Sequence, residues 1–329
     1  MLNERPTLRD VIDTQKRIMP HIFRTPLRRY GTLSALLGAE IYVKHENHQV
    51  LCSFKVRGAV NVISRLSQQR LDRGIIAAST GNFGQGIAYA ASVFGADSHI
   101  VVPTDVNTGK RESMESLGSN IILHGIDFDE AKEHAESLSK EKNYTYIHSA
   151  NEPGLTAGTG TYTLEIIEDL PDVNAIIVPV GGGSGACGAA IVAKSIDPRI
   201  KVIGVQSEAA PGAFHSWRDG KIMEAPNKTV AEGLATGGGY EFTQDILRDL
   251  LDDFILVSED ELREAVVLHL EKTHNLVEHA GAAPLAAALK IKDQLSNMKV
   301  ALVATGGNIS LQQIEDAMKY YSNSDIDPN

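Results

Sequence analysis

The chain has 329 residues, 43% of them hydrophobic, a globular composition that sets disorder aside and suits two domains better than one core. Acidic residues outnumber basic ones 42 to 31, giving a net charge of −11 with no run of basic residues, which argues against a nucleic-acid partner. No apolar run approaches the ~18 residues that span a bilayer, the N-terminus has no apolar signal core, and Cys52 and Cys187 form neither a disulfide framework nor a zinc spacing, so the expectation is a cytoplasmic protein with no membrane partner.

In chain order, a short β-rich run at 41–43 precedes Ser53-Phe54-Lys55-Val56-Arg57-Gly58-Ala59, where a lysine opens a candidate helix. A strand at 75–79 runs into Ser79-Thr80-Gly81-Asn82-Phe83-Gly84-Gln85-Gly86 and a helix over 84–94. Strands follow at 98–103 and 120–124, then a helix at 127–139 and a strand at 145–148. Residues 149–154 carry turn chemistry and read as a crossover loop before a helix at 155–169. The strand at 175–180 is apolar throughout, as a strand buried on both faces should be. It leads into Gly181-Gly182-Gly183-Ser184-Gly185 and a helix at 185–195. A strand at 201–206, a turn at 209–212, a strand at 253–257 and helices at 259–273 and 282–295 come next. The last strand, 299–304, ends in Thr305-Gly306-Gly307-Asn308, and a polar tail closes the chain. This alternation predicts an α/β protein with two open parallel-sheet domains and helices on both faces.

Three Gly-rich loops fall at carboxyl ends of predicted strands, where parallel sheets bind ligands. The glycines at 181–183 and 185 let backbone N–H groups converge on a phosphate at a helix start, with the Ser184 hydroxyl as a further donor. The Ser79–Gly86 segment offers hydroxyls and N–H groups to a second anion, such as a substrate carboxylate. Thr305 places a neutral hydroxyl where a cofactor ring nitrogen can face it. Lys55 is a poor nucleophile in water, and burial beside Phe54 and Val56 favours the neutral amine that attacks an aldehyde. One reactive amine and three anion-shaped loops point to a phosphorylated aldehyde held through a Schiff base, that is, pyridoxal 5'-phosphate. The competing reading of Lys55 is a solvated helix lysine. The spacing Gly183-x-Gly185-x-x-Gly188 also permits a dinucleotide-dependent oxidoreductase, but it follows a late strand and does not open a first βαβ unit.

These motifs resemble those of the pyridoxal-phosphate enzymes of the tryptophan synthase β fold (fold type II), in the serine/threonine dehydratase and serine racemase group. The likeness spans nearly the whole chain and includes Gly158-Thr159-Gly160-Thr161-Tyr162-Thr163-Leu164-Glu165. It implies a larger cofactor-binding domain over 1–47 with 152–329 and a smaller substrate-loop domain over 48–151. By resemblance, Lys55 forms the bond to the cofactor and then acts as base and acid, and Phe54 packs near the ring. Asn82 bonds the phenolic oxygen, Gly181, Gly182, Gly183, Ser184 and Gly185 hold the phosphate, and Thr305 faces the ring nitrogen. Ser79, Thr80, Gly81, Asn82 and Phe83 hold the substrate carboxylate, and Glu278 lines the pocket. The implied activity is α,β-elimination of water from L-threonine or L-serine, giving a 2-keto acid and ammonia in a homodimer or homotetramer. Alternatives on the same scaffold are 3-hydroxyaspartate or phenylserine elimination and serine racemisation. In racemases of the group a serine stands where this chain has Thr80, which is counted here as a catalytic candidate. Some members bind a divalent cation through acidic residues after the strand that follows the phosphate loop. Here Glu208 is the only carboxylate in that stretch, so no metal is expected.

Overall fold

A computed structural model describes residues 4–79, 81–104, 106 and 108–323. Among these the strands are β1 (Leu27–Arg29), β2 (Glu40–Lys44), β3 (Ile75–Ala78), β4 (Ser98–Val102), β5 (Asn120–Leu123), β6 (Thr145–Tyr146), β7 (Ala175–Pro179), β8 (Lys201–Ser207), β9 (Asp253–Val257) and β10 (Lys299–Val303). The helices are α1 (Leu8–Ile18), α2 (Gly31–Leu37), α3 (Lys55–Ile63), α4 (Gln68–Asp72), α5 (Asn82–Val93), α6 (Thr108–Ser116), α7 (Phe128–Lys142), α8 (Pro153–Asp169), α9 (Ser184–Ile196), α10 (Gly212–Arg218), α11 (Glu241–Leu250), α12 (Glu259–Leu268), α13 (His279–Lys290) and α14 (Leu311–Asn323). No described helix is long and apolar enough to cross a membrane.

The chain divides into two compact units, one of residues 1–23 with 55–161 and one of 24–54 with 162–329. The first holds a four-stranded sheet in the order β5-β4-β3-β6, parallel throughout. The second holds six strands in the order β1-β2-β10-β7-β8-β9, parallel except for the β1–β2 edge pair. Among the described residues the antiparallel edge is the one departure from the purely parallel sheets expected. Strand β1 has three residues, none of them buried, so it carries no buried-strand pattern.

The two compact units change over at 23/24, 54/55 and 161/162, where the sequence suggests limits at 47/48 and 151/152. Helix α1 goes with the four-stranded unit because Thr14 Oγ1 and Arg17 Nη1 both donate to Asn61 Oδ1 of α3, at 3.2 and 2.7 Å. Further along, Tyr89 of α5 donates to the His21 carbonyl.

Apolar burial explains each sheet. In the larger unit Ile41, Val43, Ile177 and Leu302 form one core with Leu262 of α12 and Leu285 of α13. In the smaller, Ile76 and Val101 pack on Ala131 and Ala135 of α7. Strand β7 pairs with β10 in parallel register, Ile177 beside Leu302. Their carboxyl ends therefore emerge side by side, and so do the loops that follow them, the placement in which open α/β sheets bind ligands.

Candidate active site

In the larger unit the loop after β7 is shaped by three glycines. Gly183 is the N-cap of α9 with φ +94°, the left-handed region that glycine enters without penalty, and a Cβ there would lie 2.8 Å from Thr243 Cβ. At Gly181 a Cβ would lie 2.2 Å from the Gly233 carbonyl oxygen, and at Gly185 3.0 Å from Phe54 Cε2. The N-cap of this thirteen-residue helix is a glycine, with no side chain of its own to cap it, so its first N–H groups and its dipole suit an anion. Ser184 is buried at the first helical position.

Phe54 and Tyr162 form a wall beside that loop. Their rings meet edge-to-face with centroids 6.0 Å apart, and the buried Tyr162 hydroxyl donates to the Gly185 carbonyl at 2.8 Å. The loop after β10 is joined to the segment that ends at Phe54. The Phe54 N–H donates to the Thr305 carbonyl at 3.1 Å, Ser53 and Gly306 form a bridge, the Gly307 N–H donates to the Cys52 carbonyl at 3.0 Å, and Asn308 Nδ2 to the Leu51 carbonyl at 2.9 Å. Thr305 is 4% exposed. The Glu278 N–H donates to the Gly306 carbonyl at 3.0 Å, and Glu278 Oε1 lies 3.8 Å from where a Cβ on Gly233 would stand. Phe54, Gly181 to Gly185, Glu278 and Thr305 are thus gathered in one unit.

A buried polar layer supports the Thr305 turn. The Asn47 N–H donates to the Ala304 carbonyl, and its Nδ2 to the Leu276 carbonyl at 3.1 Å. His45 contacts Asn47 Oδ1 through Nδ1 and the Tyr30 hydroxyl through Nε2. Burial, helped by His48 stacked on it, drives His45 down to about 3, and burial alone drives His269 down to about 4. Both imidazoles are neutral at physiological pH. At the end of β2, Lys44 Nζ donates to Glu165 Oε2 of α8 at 2.6 Å and to the Thr25 carbonyl at 2.7 Å, all out of solvent.

In the smaller unit Lys55 is the first residue of α3, half-buried, and follows Phe54 directly in the chain. Asn82 opens α5 behind the N-cap Gly81, and Phe83 after it is 6% exposed. The buried Ser79 hydroxyl accepts from the Gly84 N–H at 2.8 Å and the Gly81 N–H at 3.2 Å. Both Ser79 and the Gly81 N–H, expected at a substrate carboxylate, are therefore bonded to each other and hold the loop in shape. Thr80 lies outside the described residues. A Cβ on Gly86 would lie 3.4 Å from the Lys55 carbonyl group, so the Ser79–Gly86 segment and Lys55 are brought together.

Cys52 is exposed, with φ +52°, and Cys187 is buried with Sγ near the Thr243 carbonyl. Glu208 accepts from Lys290 at 3.2 Å. Among the described residues no three His, Cys, Asp or Glu side chains are grouped to hold a metal. Sequence reasoning gave no role to Gly233, Tyr162 or Asn47. Gly233 meets Gly181 across more than fifty residues of chain, a contact that no local pattern announces. Tyr162 was visible only as a large aromatic within a small-residue motif.

The donor set fits a phosphorylated pyridine aldehyde. A glycine cradle at a helix start suits the phosphate, an aromatic wall lies beside it, a buried threonine follows the neighbouring strand, and a lysine comes one residue after the wall. Comparison with known proteins agrees. The model of the pyridoxal-phosphate dependent enzyme family matches residues 18–306. An L-threonine ammonia-lyase of Thermotoga maritima is 40% identical over 94% of this chain and 77% of its own. Maize serine racemase superposes with a TM-score of 0.91 at 30% identity, covering 97% of this chain and 98% of that one. The processed form of threonine deaminase isoform 2 from Solanum lycopersicum gives 0.90 at 31% identity, covering 97% and 96%. With a family match that runs from the end of α1 to the Thr305 turn, this chain belongs to the pyridoxal-phosphate dependent enzymes.

Proposed function

We propose that the protein is an L-threonine/L-serine ammonia-lyase that removes water from a β-hydroxy amino acid and yields a 2-keto acid and ammonia. The observation that carries the substrate is the 40% identity to an L-threonine ammonia-lyase along 94% of the chain. Pyridoxal phosphate, when bound, supplies an electron sink for the charge left on the substrate's Cα. Gly181 to Gly185 and the start of α9 would hold its phosphate, Phe54 would pack near the ring, Thr305 would offer a neutral hydroxyl to the ring nitrogen, and Asn82 would bond the phenolic oxygen. Lys55 Nζ would hold the cofactor through its aldehyde. The same Nζ would take the Cα proton of the bound substrate. The start of α5 receives the substrate carboxylate, and Glu278 lines the pocket. The β-hydroxyl leaves with a proton as water, and a water is consumed when the released enamine becomes keto acid and ammonia.

Keto-acid release from L-Thr, L-Ser, 3-hydroxyaspartate and phenylserine tests this reading, with Lys55→Ala as the inactive control. Fast 2-ketobutyrate formation from L-Thr supports it, and an inert L-Thr sinks it. The likeness to maize serine racemase supports a second reading, serine racemisation, which a chiral assay for D-serine detects. The reading includes a cytoplasmic homodimer or homotetramer, which light scattering on the eluting protein checks.

A further inference from the structure

The motif Gly158-Thr159-Gly160-Thr161 has no part in the chemistry above, yet it lies against the helix that Lys55 begins. Within the smaller unit α3 and α8 touch backbone to backbone. A Cβ on Gly158 would stand 2.5 Å from Gly58 Cα, 2.6 Å from the Arg57 carbonyl oxygen and 2.8 Å from Gly58 N. All three are main-chain atoms, so no rotamer change relieves the overlap. A Cβ on Gly58 would likewise meet Leu155 Cα and O at 3.1 Å. Three residues after Gly158 on the same helical face, Thr161 Oγ1 donates to the Gly158 carbonyl at 2.6 Å and accepts from Arg57 Nη1 at 3.0 Å. The first bond fixes the hydroxyl proton and turns a lone pair toward the fully buried guanidinium. Helix α5 meets α3 in a similar way: a Cβ on Gly86 would lie 3.3 Å from Ala59 Cβ and 3.4 Å from Lys55 C and O.

We infer that Gly158, Thr161 and Gly86 are positioning residues for Lys55. Two glycine contacts and one buried hydrogen bond fix where α3 lies and how it is turned, and so the point from which the Lys55 side chain starts. This rests on the reading of Lys55 as the amine that bonds the cofactor. An alanine at 158 forces α3 and α8 apart by roughly 1 Å to reach ordinary contact, and a misplacement of about 1 Å costs about 100-fold in a reaction that needs aligned atoms. An alanine at 86 asks for a few tenths of an ångström and has a smaller effect.

Two ligands separate position from general integrity. Pyridoxine phosphate carries an alcohol in place of the aldehyde and forms no bond to a lysine, so its affinity reports the rest of the site. The full chain, stripped of cofactor, is titrated with pyridoxine phosphate and with pyridoxal phosphate, and growth of the visible absorbance reports bond formation to Lys55. Gly158→Ala is expected to bind pyridoxine phosphate within about twofold of the parent and to form the lysine bond roughly 100-fold more slowly. Thr161→Val is expected to slow the bond and Thr161→Ser to restore it. An unchanged rate in folded Gly158→Ala, or an equal loss for both ligands, overturns the inference. Where Gly158→Ala does not fold, equal rates in Thr161→Val and Thr161→Ser overturn it. A parent that binds pyridoxal phosphate without bonding it refutes the role of Lys55 itself, which separates failure of that reading from failure of the positioning claim.

Discussion

Glu165→Gln tests how firmly the strand ends under the site are held. Lys44 and Glu165 form an ion pair at 2.6 Å with side chains 0% and 4% exposed. Lys44 ends β2 in register with Val303, and its carbonyl accepts from the Ala304 N–H next to Thr305. The pair therefore ties α8 to the strands from which the Thr305 turn springs. Removing one partner of a buried pair costs roughly 3–5 kcal/mol. The glutamine still accepts a hydrogen bond and Lys44 keeps the Thr25 carbonyl, so the lower end, about 3 kcal/mol, is expected. At roughly 2–4 °C per kcal/mol for a unit of this size, the melting temperature falls by about 6–12 °C. The assay is calorimetric melting of the cofactor-saturated protein at fixed pH and ionic strength. The double variant Lys44→Met/Glu165→Leu replaces both charges with apolar groups and should recover most of the loss. A single variant within about 2 °C of the parent refutes the reasoning, as does a double variant no more stable than the single one.

Three further outcomes follow from the same geometry. Gly181→Ala places a methyl group against the Gly233 carbonyl and should weaken pyridoxal phosphate binding by at least about tenfold; a titration showing unchanged affinity removes the cradle from the account. Cys52→Gly relieves a left-handed residue (φ +52°) that follows another, Leu51 at +63°. Glycine's entropy loss offsets part of the gain, so stability should hold or rise within about 1 kcal/mol, whereas β-branched Cys52→Val should melt measurably lower. His45 and His269 have folded values near 3 and 4, below the unfolded value of 6.5. The unfolded chain therefore binds their protons first, and stability present above about pH 6.5 drains away as pH falls, by about 1.4 kcal/mol per pH unit for each. Melting curves from about pH 7 to about pH 5 that stay flat, or that rise on acidification, contradict this.

Much of the fold was legible because its signals are local. Strand β7 is apolar at every position and buried at its first four, and all nine strands expected from the sequence occur. Two of the elements that escaped lack an apolar period. Strand β1 is Leu-Arg-Arg with no buried residue, and α6 buries only Met114. The helix expected over 259–273 is present, but its last turn, His269–Thr273, widens into a π-helix that closes on His274 in the left-handed region, which hydrophobic spacing does not encode. At the site, glycines that open helices were visible because such loops are costly without a ligand to justify them. Contacts between distant segments were not. The closeness of Gly181 to Gly233 and of Gly158 to Gly58 depends on how helices and strands pack. The role of Ser79 depends on which N–H groups its loop turns inward.

The central claim is that Lys55 and pyridoxal phosphate together eliminate water from L-threonine. The most direct measurement is 2-ketobutyrate and ammonia release from L-threonine by the cofactor-loaded protein beside its Lys55→Ala variant. The account predicts equal amounts of the two products from the parent and none from the variant. Turnover that survives in Lys55→Ala, or an inert L-threonine in a parent that has bonded its cofactor, contradicts it.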